Sequence, residues 1–411
     1  MTIHLPPRTA ADRATLANWL RAPYNRWSFQ HVREIVPTAV IRKGSGPVLE
    51  LPETSLRLGE REVSFTSHPD DGGASGSEPL ARLLGRTYTD GFLVLRRGRR
   101  VFEHYDNGMT PASTHLCMSI SKSITATAVG RAIAEGALSP ADLVADHVPE
   151  LRGTGFEGAT VRHLLDMRTG TGPMTPEQSR TDMEATLWAP MSRPGVRADL
   201  TSYFAGLGNI RPHGGPFQYR SVLTCVLAQV AEHATGTRLP ELISREVWQR
   251  IGAGSDADIC VDGHRNGLAD VGVSCTLRDL ARLGEAMRRG GGVHSAVNSA
   301  VNGASDGAGA IPRAWVTDTL VPDADQRAVF AQHGARYLPV PGGYYRNQWW
   351  VAESGPQGAI YMALGIHGQL LLVHEPAEVV VAKFSTWPQG WSTLLAQDTV
   401  SACVSLAESL A

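Results

Sequence analysis

Lysine is nearly missing from this chain of 411 residues: Lys43, Lys122 and Lys383 stand against 35 arginines. Cysteine is also scarce. The five cysteines, at 117, 225, 260, 275 and 403, are odd in number and irregularly spaced, with no Cys-x-x-Cys. That excludes a disulfide framework and a zinc ribbon, and reduced thiols of a cytoplasmic protein are expected. No stretch approaches ~18 uninterrupted apolar residues, so no membrane-spanning helix is read. Met1-Thr2-Ile3-His4-Leu5-Pro6-Pro7 lacks the charged start and apolar run of a secretory leader. Charge of one sign is lacking too: the net charge is −2. The one basic cluster, Arg96-Arg97-Gly98-Arg99-Arg100, lies between strand-like runs and reads as a solvated hairpin loop. No nucleic-acid partner is expected.

What is present is ample apolar material, 42% of the chain, enough for a large core in two lobes. Strand-like runs at 92–95 and 101–105 precede a helical pattern from Ser119 to Glu135, stopped by Gly136. Ser139-Pro140-Ala141-Asp142 reads as a capped helix start. Further helical patterns cover 159–168, 219–235, 239–251 and 276–289, with Gly- and Pro-rich loops at 169–178 and 189–216. Three β-branched, apolar runs follow at 359–366, 370–374 and 379–385, separated by turn signals, and read as an antiparallel meander. A helix over 391–410 closes the chain. Residues 1–60 read as an arm with one short helix near 9–20, and 67–78 and 290–309 as loops. Strands at both ends with helices between them predict an α+β fold. One antiparallel sheet is flanked by helices, with an all-helical lobe inserted. The α/β lobe is placed at about 1–130 and 255–411, and the helical lobe at about 131–254.

Among so many arginines, Lys122 needs a reason. It lies three residues after Ser119 in Met118-Ser119-Ile120-Ser121-Lys122-Ser123, where the first long helix begins. Residues i and i+3 of a helix share a face. A desolvated lysine can give up its proton, which arginine in practice cannot, so Lys122 suits a base that deprotonates an attacking serine. The same pattern also fits a helix-capping serine followed by a solvated lysine.

A nucleophilic serine also needs an acid for the leaving group and two N–H donors for the oxyanion. Phe217-Gln218-Tyr219-Arg220-Ser221 opens a helix after the loop Pro212–Pro216 and offers a phenol and a hydroxyl. It equally fits an ordinary turn tyrosine with a serine cap. The Ser119 amide at a helix N-terminus is one oxyanion donor. The second is sought in Gly365-Ile366-His367-Gly368-Gln369, whose glycines allow close backbone approach and which also fits a plain hairpin turn.

Taken together, these pieces resemble the serine β-lactamase and DD-peptidase superfamily, in its class C-like form. Within it the chain is most similar to the 6-aminohexanoate-dimer (nylon-oligomer) hydrolases. The likeness runs through Pro23-Tyr24-Asn25-Arg26-Trp27, Thr87–Leu95, Met118–Ser123, Phe217-Gln218-Tyr219, Gly272–Arg282, Gln348-Trp349-Trp350, Gly365–Gln369 and Ser385-Thr386-Trp387-Pro388. The resemblance implies a β-lactamase/transpeptidase-like fold with no metal or cofactor. It implies Ser119 as nucleophile, Lys122 as base and Tyr219 as third catalytic residue, with the Ser119 and Ile366 amides as oxyanion hole. Trp188 corresponds to a tryptophan on a loop over the cleft and Trp350 to one in the cleft wall. Ser221 and His367 are expected near substrate.

Two departures shape the expected activity. The amide-cleaving members carry a tyrosine on the loop before Trp188. No tyrosine occurs between Leu151 and Ser202 here, and Glu177 falls roughly at that place. The Lys-Thr-Gly triplet of β-lactamases is absent, with Ala363-Leu364-Gly365 in its position, so a β-lactam carboxylate has no evident anchor. The expectation is therefore a serine hydrolase acting on small-molecule carboxylic esters or linear amides through an acyl-enzyme, with no membrane partner. An acyltransferase of the same fold, a cell-wall DD-peptidase and a silent binding protein are the rival readings. A homodimer is compatible with the resemblance.

Overall fold

The computed structural model describes residues 13–66, 75–172, 175–190, 200–291, 309–334, 342–355 and 358–411. In chain order the first strands are β1 (Thr38–Ile41), β2 (Glu62–Phe65), β3 (Gly76–Pro79), β4 (Thr89–Arg96), β5 (Arg99–Tyr105) and β6 (Thr114–Leu116). Then come β7 (Ala257–Cys260), β8 (Val273–Thr276), β9 (Tyr344–Arg346), β10 (Trp349–Gly355), β11 (Gly358–Gly365), β12 (Gln369–His374) and β13 (Val379–Ser385). Seven of them form one antiparallel sheet in the order β5-β4-β13-β12-β11-β10-β9. N-terminal and C-terminal segments thus meet at the β4–β13 pair, as strands at both ends of the chain suggested. A smaller antiparallel sheet has the order β1-β7-β8-β6, and β2 pairs with β3.

Strands β12 and β13 are buried at every residue, which requires cover on both faces. A helix over Leu277–Gly291 lies on one face, where Gly284 meets Val380 and Leu371. A Cβ added at Gly284 would sit 2.6 Å from Val380, so the glycine allows this close approach. Helix Thr393–Glu408, capped by the Ser392 hydroxyl, packs on β12, β13 and β2.

Between β6 and β7 the described residues are helices and turns. They include α1 (Ile120–Ala134), α2 (Val161–Leu165), α3 (Pro176–Ala185), α4 (Leu200–Ala205), α5 (Val222–Thr235) and α6 (Leu239–Ile243), which continues as a π-helical turn over Ser244–Trp248. Helix α1 is buried along nearly its whole length and packs on α5, α6, β11 and β12. It therefore joins the helical region to the sheet. Among the described residues no helix is long and apolar enough to cross a membrane.

Several local expectations are corrected. The basic loop at 96–100 shrinks to a two-residue turn, Arg97 (φ 52°) and Gly98 (φ 74°), between β4 and β5. Arg100 stays in the strand because Glu53 (2.7 Å) and Glu103 neutralise it. No helix starts at Ser139. Its hydroxyl accepts the Ala141 N–H in a turn, and the next helical turn begins at Val144. Short helices α3 and α4 interrupt the expected loops at 169–178 and 189–216, α4 burying Tyr203 and Phe204. The end of the 67–78 loop is strand β3, and 67–74 lie outside the described residues. Of the predicted 9–20 helix, residues 16–20 form turns and 9–12 lie outside the described residues, as do 292–308 of the predicted 290–309 loop.

Candidate active site

The turn that carries Ser119 is built by the small sheet. Strand β6 ends at Leu116, and the Cys117 N–H still donates to Val273 O (2.8 Å), so the chain is held in line with β8. Met118 then adopts a left-handed conformation (φ 49°) while fully buried, and α1 starts directly after Ser119. A left-handed methionine costs of order 1 kcal/mol and persists only where its surroundings fix it. The resulting strand–turn–helix reverses the chain sharply and puts Ser119 at the N-terminus of α1.

Lys122, one turn along α1, is fully buried. Its Nζ donates to Ser119 Oγ (2.9 Å), Ser221 Oγ (3.1 Å) and the Asp270 carbonyl (2.9 Å). Three acceptors match the three N–H bonds of an ammonium. No carboxylate is ion-paired to Nζ among the described residues. Buried small polar side chains elsewhere on α1 hold the neighbouring segment: Val273 N donates to Ser121 Oγ (3.0 Å), and Thr125 Oγ1 donates to Ala269 O (3.0 Å). They fix the 269–273 strand entry that presents Asp270 O to the lysine. The buried Asp270 carboxylate itself accepts from Cys225 Sγ (3.1 Å).

Tyr219 and Ser221 come from the turn ahead of α5. Ser221 occupies the N-cap position but makes no side-chain cap; its hydroxyl goes to Lys122. Expected near substrate, it lies beside the Ser119–Lys122 pair. The Tyr219 ring lies under Lys122, with Nζ 5.2 Å from its centroid. Trp350 braces that ring at 5.1 Å and Tyr345 at 5.8 Å edge-on. Trp350 is only 3% exposed, and its ring packs against that of Tyr219.

The β9–β10 hairpin that delivers Trp350 turns at Asn347 (φ 51°) and Gln348 (φ 64°). Gln348 is buried and wedges three helices together. Its carbonyl accepts from Ser123 Oγ (2.7 Å), its Oε1 from Thr224 Oγ1 (2.9 Å), and its Nε2 donates to Leu164 O (2.8 Å). Sequence reasoning gave this glutamine no role, because these three helical partners lie between 124 and 225 residues away.

On the other side of Ser119, β11 ends against the Cys117–Ser119 turn. A Cβ on Gly365 would come within 2.7 Å of Cys117 O and 3.0 Å of Met118 Cβ. Only glycine permits that approach, which brings the Ile366 backbone alongside the turn. Neither the Ser119 nor the Ile366 N–H has a protein acceptor among the described residues. The Ile366 side chain is 40% exposed. His367, left-handed at φ 62°, is buried, with Nδ1 on Trp387 O (2.8 Å) and its ring edge-on to Phe29. Burial lowers its pKa. His367, expected near substrate, ties the Ile366 turn to the 387–390 segment, where its own N–H meets Gly390 O (2.7 Å).

Trp188 is buried and packs edge-on against Trp19 (4.9 Å), whose Nε1 donates to its carbonyl (3.2 Å). Glu177 is exposed in the first turn of α3. One residue that sequence reasoning missed is Asp182 of α3. Burial, and then the Asp270 charge, push its pKa up to about 7, against the pull of Lys122. No sequence pattern signals it, because both neighbours are remote in the chain. Among the described residues no group of three or more His, Cys, Asp or Glu side chains is gathered as for a metal ion.

Comparison with known proteins identifies the family. The beta-lactamase family model matches residues 80–399. The chain is 34% identical over 396 residues to the 6-aminohexanoate-dimer hydrolase of Paenarthrobacter ureafaciens, covering 93% of this chain and 90% of that one. A Bacillus anthracis protein named as a candidate 6-aminohexanoate-dimer hydrolase superposes with a TM-score of 0.81 at 24% identity, over 98% of this chain and 99% of its own. EstCE1, a hydrolase with promiscuous acyltransferase activity, shares the fold at a TM-score of 0.57 and 17% identity, over 78% and 98%. The chain belongs to the beta-lactamase family of serine hydrolases, in the company of the 6-aminohexanoate-dimer hydrolases.

Proposed function

We propose that this hydrolase cleaves small carboxylic esters and linear amides through an acyl-enzyme on Ser119. The observation that carries the reading is the setting of Lys122: fully buried, bonded to Ser119 Oγ, and surrounded by neutral acceptors. A neutral amine in that place keeps two N–H bonds for Ser221 and Asp270 O and turns its lone pair to the Ser119 hydroxyl. Lys122 takes the hydroxyl proton as Oγ attacks the carbonyl carbon. The tetrahedral oxyanion rests on the Ser119 and Ile366 N–H groups, with the α1 N-terminus adding favourable dipole. The bond to the leaving group then breaks, and the leaving oxygen or nitrogen takes a proton relayed from Lys122 through Tyr219. Water, deprotonated by the same pair, attacks the acyl carbonyl and frees Ser119.

An alkoxide leaves with less assistance than an amine, and no tyrosine is available in the stretch before Trp188 to help an amide nitrogen. Ester cleavage is therefore the stronger activity. Trp350 holds Tyr219, Ser221 and Asp270 O hold Lys122, and His367 holds the Ile366 turn; Trp188 and Glu177 flank the approach of substrate. The test is steady-state hydrolysis of p-nitrophenyl butyrate and of 6-aminohexanoate dimer by the same preparation. Ester turnover lost in Ser119→Ala, with slower dimer cleavage, is the expected result. Dimer cleavage faster than ester cleavage would overturn the ester preference.

A further inference from the structure

Four arginines in the described part of the chain are at least nine-tenths buried: Arg220, Arg282, Arg288 and Arg346. Three of them sit on carboxylates. Arg282 meets Asp279 (2.7 Å), Arg288 meets Glu285 (2.8 Å), and Arg346 meets Asp318 (2.6 Å) and Asp323 (2.7 Å). This follows the general requirement that a buried charge be paired.

Arg220 breaks the pattern, and it stands in the chain between Tyr219 and Ser221, both of which touch Lys122. It is 6% exposed. Its Nη1 donates to the neutral Thr171 hydroxyl. Its Nε and Nη2 have no partner among the described residues. These two nitrogens form the edge of a guanidinium that matches a carboxylate in bidentate fashion. A second unsatisfied donor belongs to the same neighbourhood. Tyr203 of α4 is 8% exposed, and its hydroxyl has no partner among the described residues. Tyr203 lies within electrostatic range of Asp182 and of Arg220, and neither is hydrogen-bonded to its hydroxyl. Burial raises the Tyr203 pKa, so the phenol keeps its proton and remains a donor. Leaving such donors unpaired in the interior is unfavourable, most of all for the charged one. The group that completes the set is an acceptor, and the guanidinium charge favours an anion.

We propose that Arg220, with the Tyr203 hydroxyl, binds a carboxylate carried by the substrate, so that the enzyme's substrates are esters or amides bearing a free carboxylate. The inference rests on the hydrolase reading above and specifies its substrate class.

The test uses p-nitrophenyl monoesters of adipic and pimelic acid, each beside its uncharged twin in which the far carboxylate is a primary amide. A second pair carries the carboxylate, or its amide, on the leaving alcohol. The readout is the ratio of kcat/KM for the anionic over the neutral ester. A ratio of tenfold or more is expected in at least one pair for wild type. It should fall to within threefold of unity in Arg220→Met and recover in part in Arg220→Lys. No anionic preference in any pair, or a preference that survives Arg220→Met, overturns the proposal. If Arg220→Met does not fold, Tyr203→Phe decides: its ratio should drop at least threefold, and an unchanged ratio counts against the subsite.

Calorimetric titration of hexanoate into Ser119→Ala protein separates the two readings. No ester turnover by wild type defeats the hydrolase reading alone if hexanoate binds and Arg220→Met in that background abolishes the binding. Hexanoate that binds equally well without Arg220 defeats the subsite alone. Chloride at the same concentration serves as the control: if it displaces hexanoate completely, the site takes any small anion and the substrate assignment fails.

Discussion

Replacing Lys122 by arginine preserves a positive charge and removes the one property the mechanism needs. The lysine is fully buried with three acceptors around Nζ at 2.9–3.1 Å. A guanidinium there can still donate to Ser119, Ser221 and Asp270 O, yet it cannot accept the serine proton. A positioned general base contributes about 10²–10⁴-fold in rate. At about 1.4 kcal/mol per decade that is roughly 3–5.5 kcal/mol of barrier. The larger guanidinium must also fit a closed site, which adds about 1–3 kcal/mol of packing cost. Lys122→Arg should therefore lose at least a hundredfold in kcat/KM on an activated ester while remaining folded by near-UV circular dichroism. Lys122→Met loses the base as well and leaves all three acceptors without their donor, so it should be both inactive and less stable by about 1–3 kcal/mol. A Lys122→Arg protein within tenfold of wild type would refute the general-base argument, whatever its stability.

Three further outcomes follow from the same geometry. Ser221→Ala removes one of the three acceptors on Nζ and should lower kcat/KM about tenfold to a hundredfold, the equivalent of one hydrogen bond to a charged group; stopped-flow acylation rates check it. Gly365→Ala drives a methyl to 2.7 Å from Cys117 O and pushes the Ile366 amide off the nucleophile turn. It should cut kcat about a hundredfold or more with little change in KM, as loss of an oxyanion donor does. Asp182 gives a pH dependence of known sign. Its pKa is raised in the folded protein, to about 7 from 3.8. The native state therefore holds a proton that the unfolded chain has released, and stability falls as pH rises from about 4 to about 7, by at most about 4 kcal/mol. Asp182→Asn should flatten that slope in urea unfolding at pH 5 and pH 8, and an unchanged slope would show that the carboxyl is not desolvated.

The parts of the site that were legible in the sequence are local. Ser119 and Lys122 share a face because they are three apart on one helix, and the β4–β5 and β11–β12–β13 runs alternate or fill as strands must. What was not legible depends on distant partners. Lys122 and Ser221 are 99 residues apart, so nothing local distinguishes a lysine ligand from an ordinary helix cap. The left-handed Met118 is imposed by β8 and β11 rather than by its own propensity. His367 looked available in a glycine-rich turn, but Asn25, Phe29 and Trp387, all remote in sequence, enclose it. The basic run at 96–100 looked like a loop because charge suggests solvent; neutralisation by Glu53 and Glu103 lets Arg100 stay in a strand.

The most direct measurement is the intact mass of wild-type and Ser119→Ala protein, quenched in acid within a second of mixing with p-nitrophenyl butyrate and then digested. A butyryl adduct of about 70 Da on the wild type alone, on the peptide containing Met118–Lys122, is the predicted result. Turnover with no adduct in any time window, or an adduct that persists at the same peptide in Ser119→Ala, would contradict it.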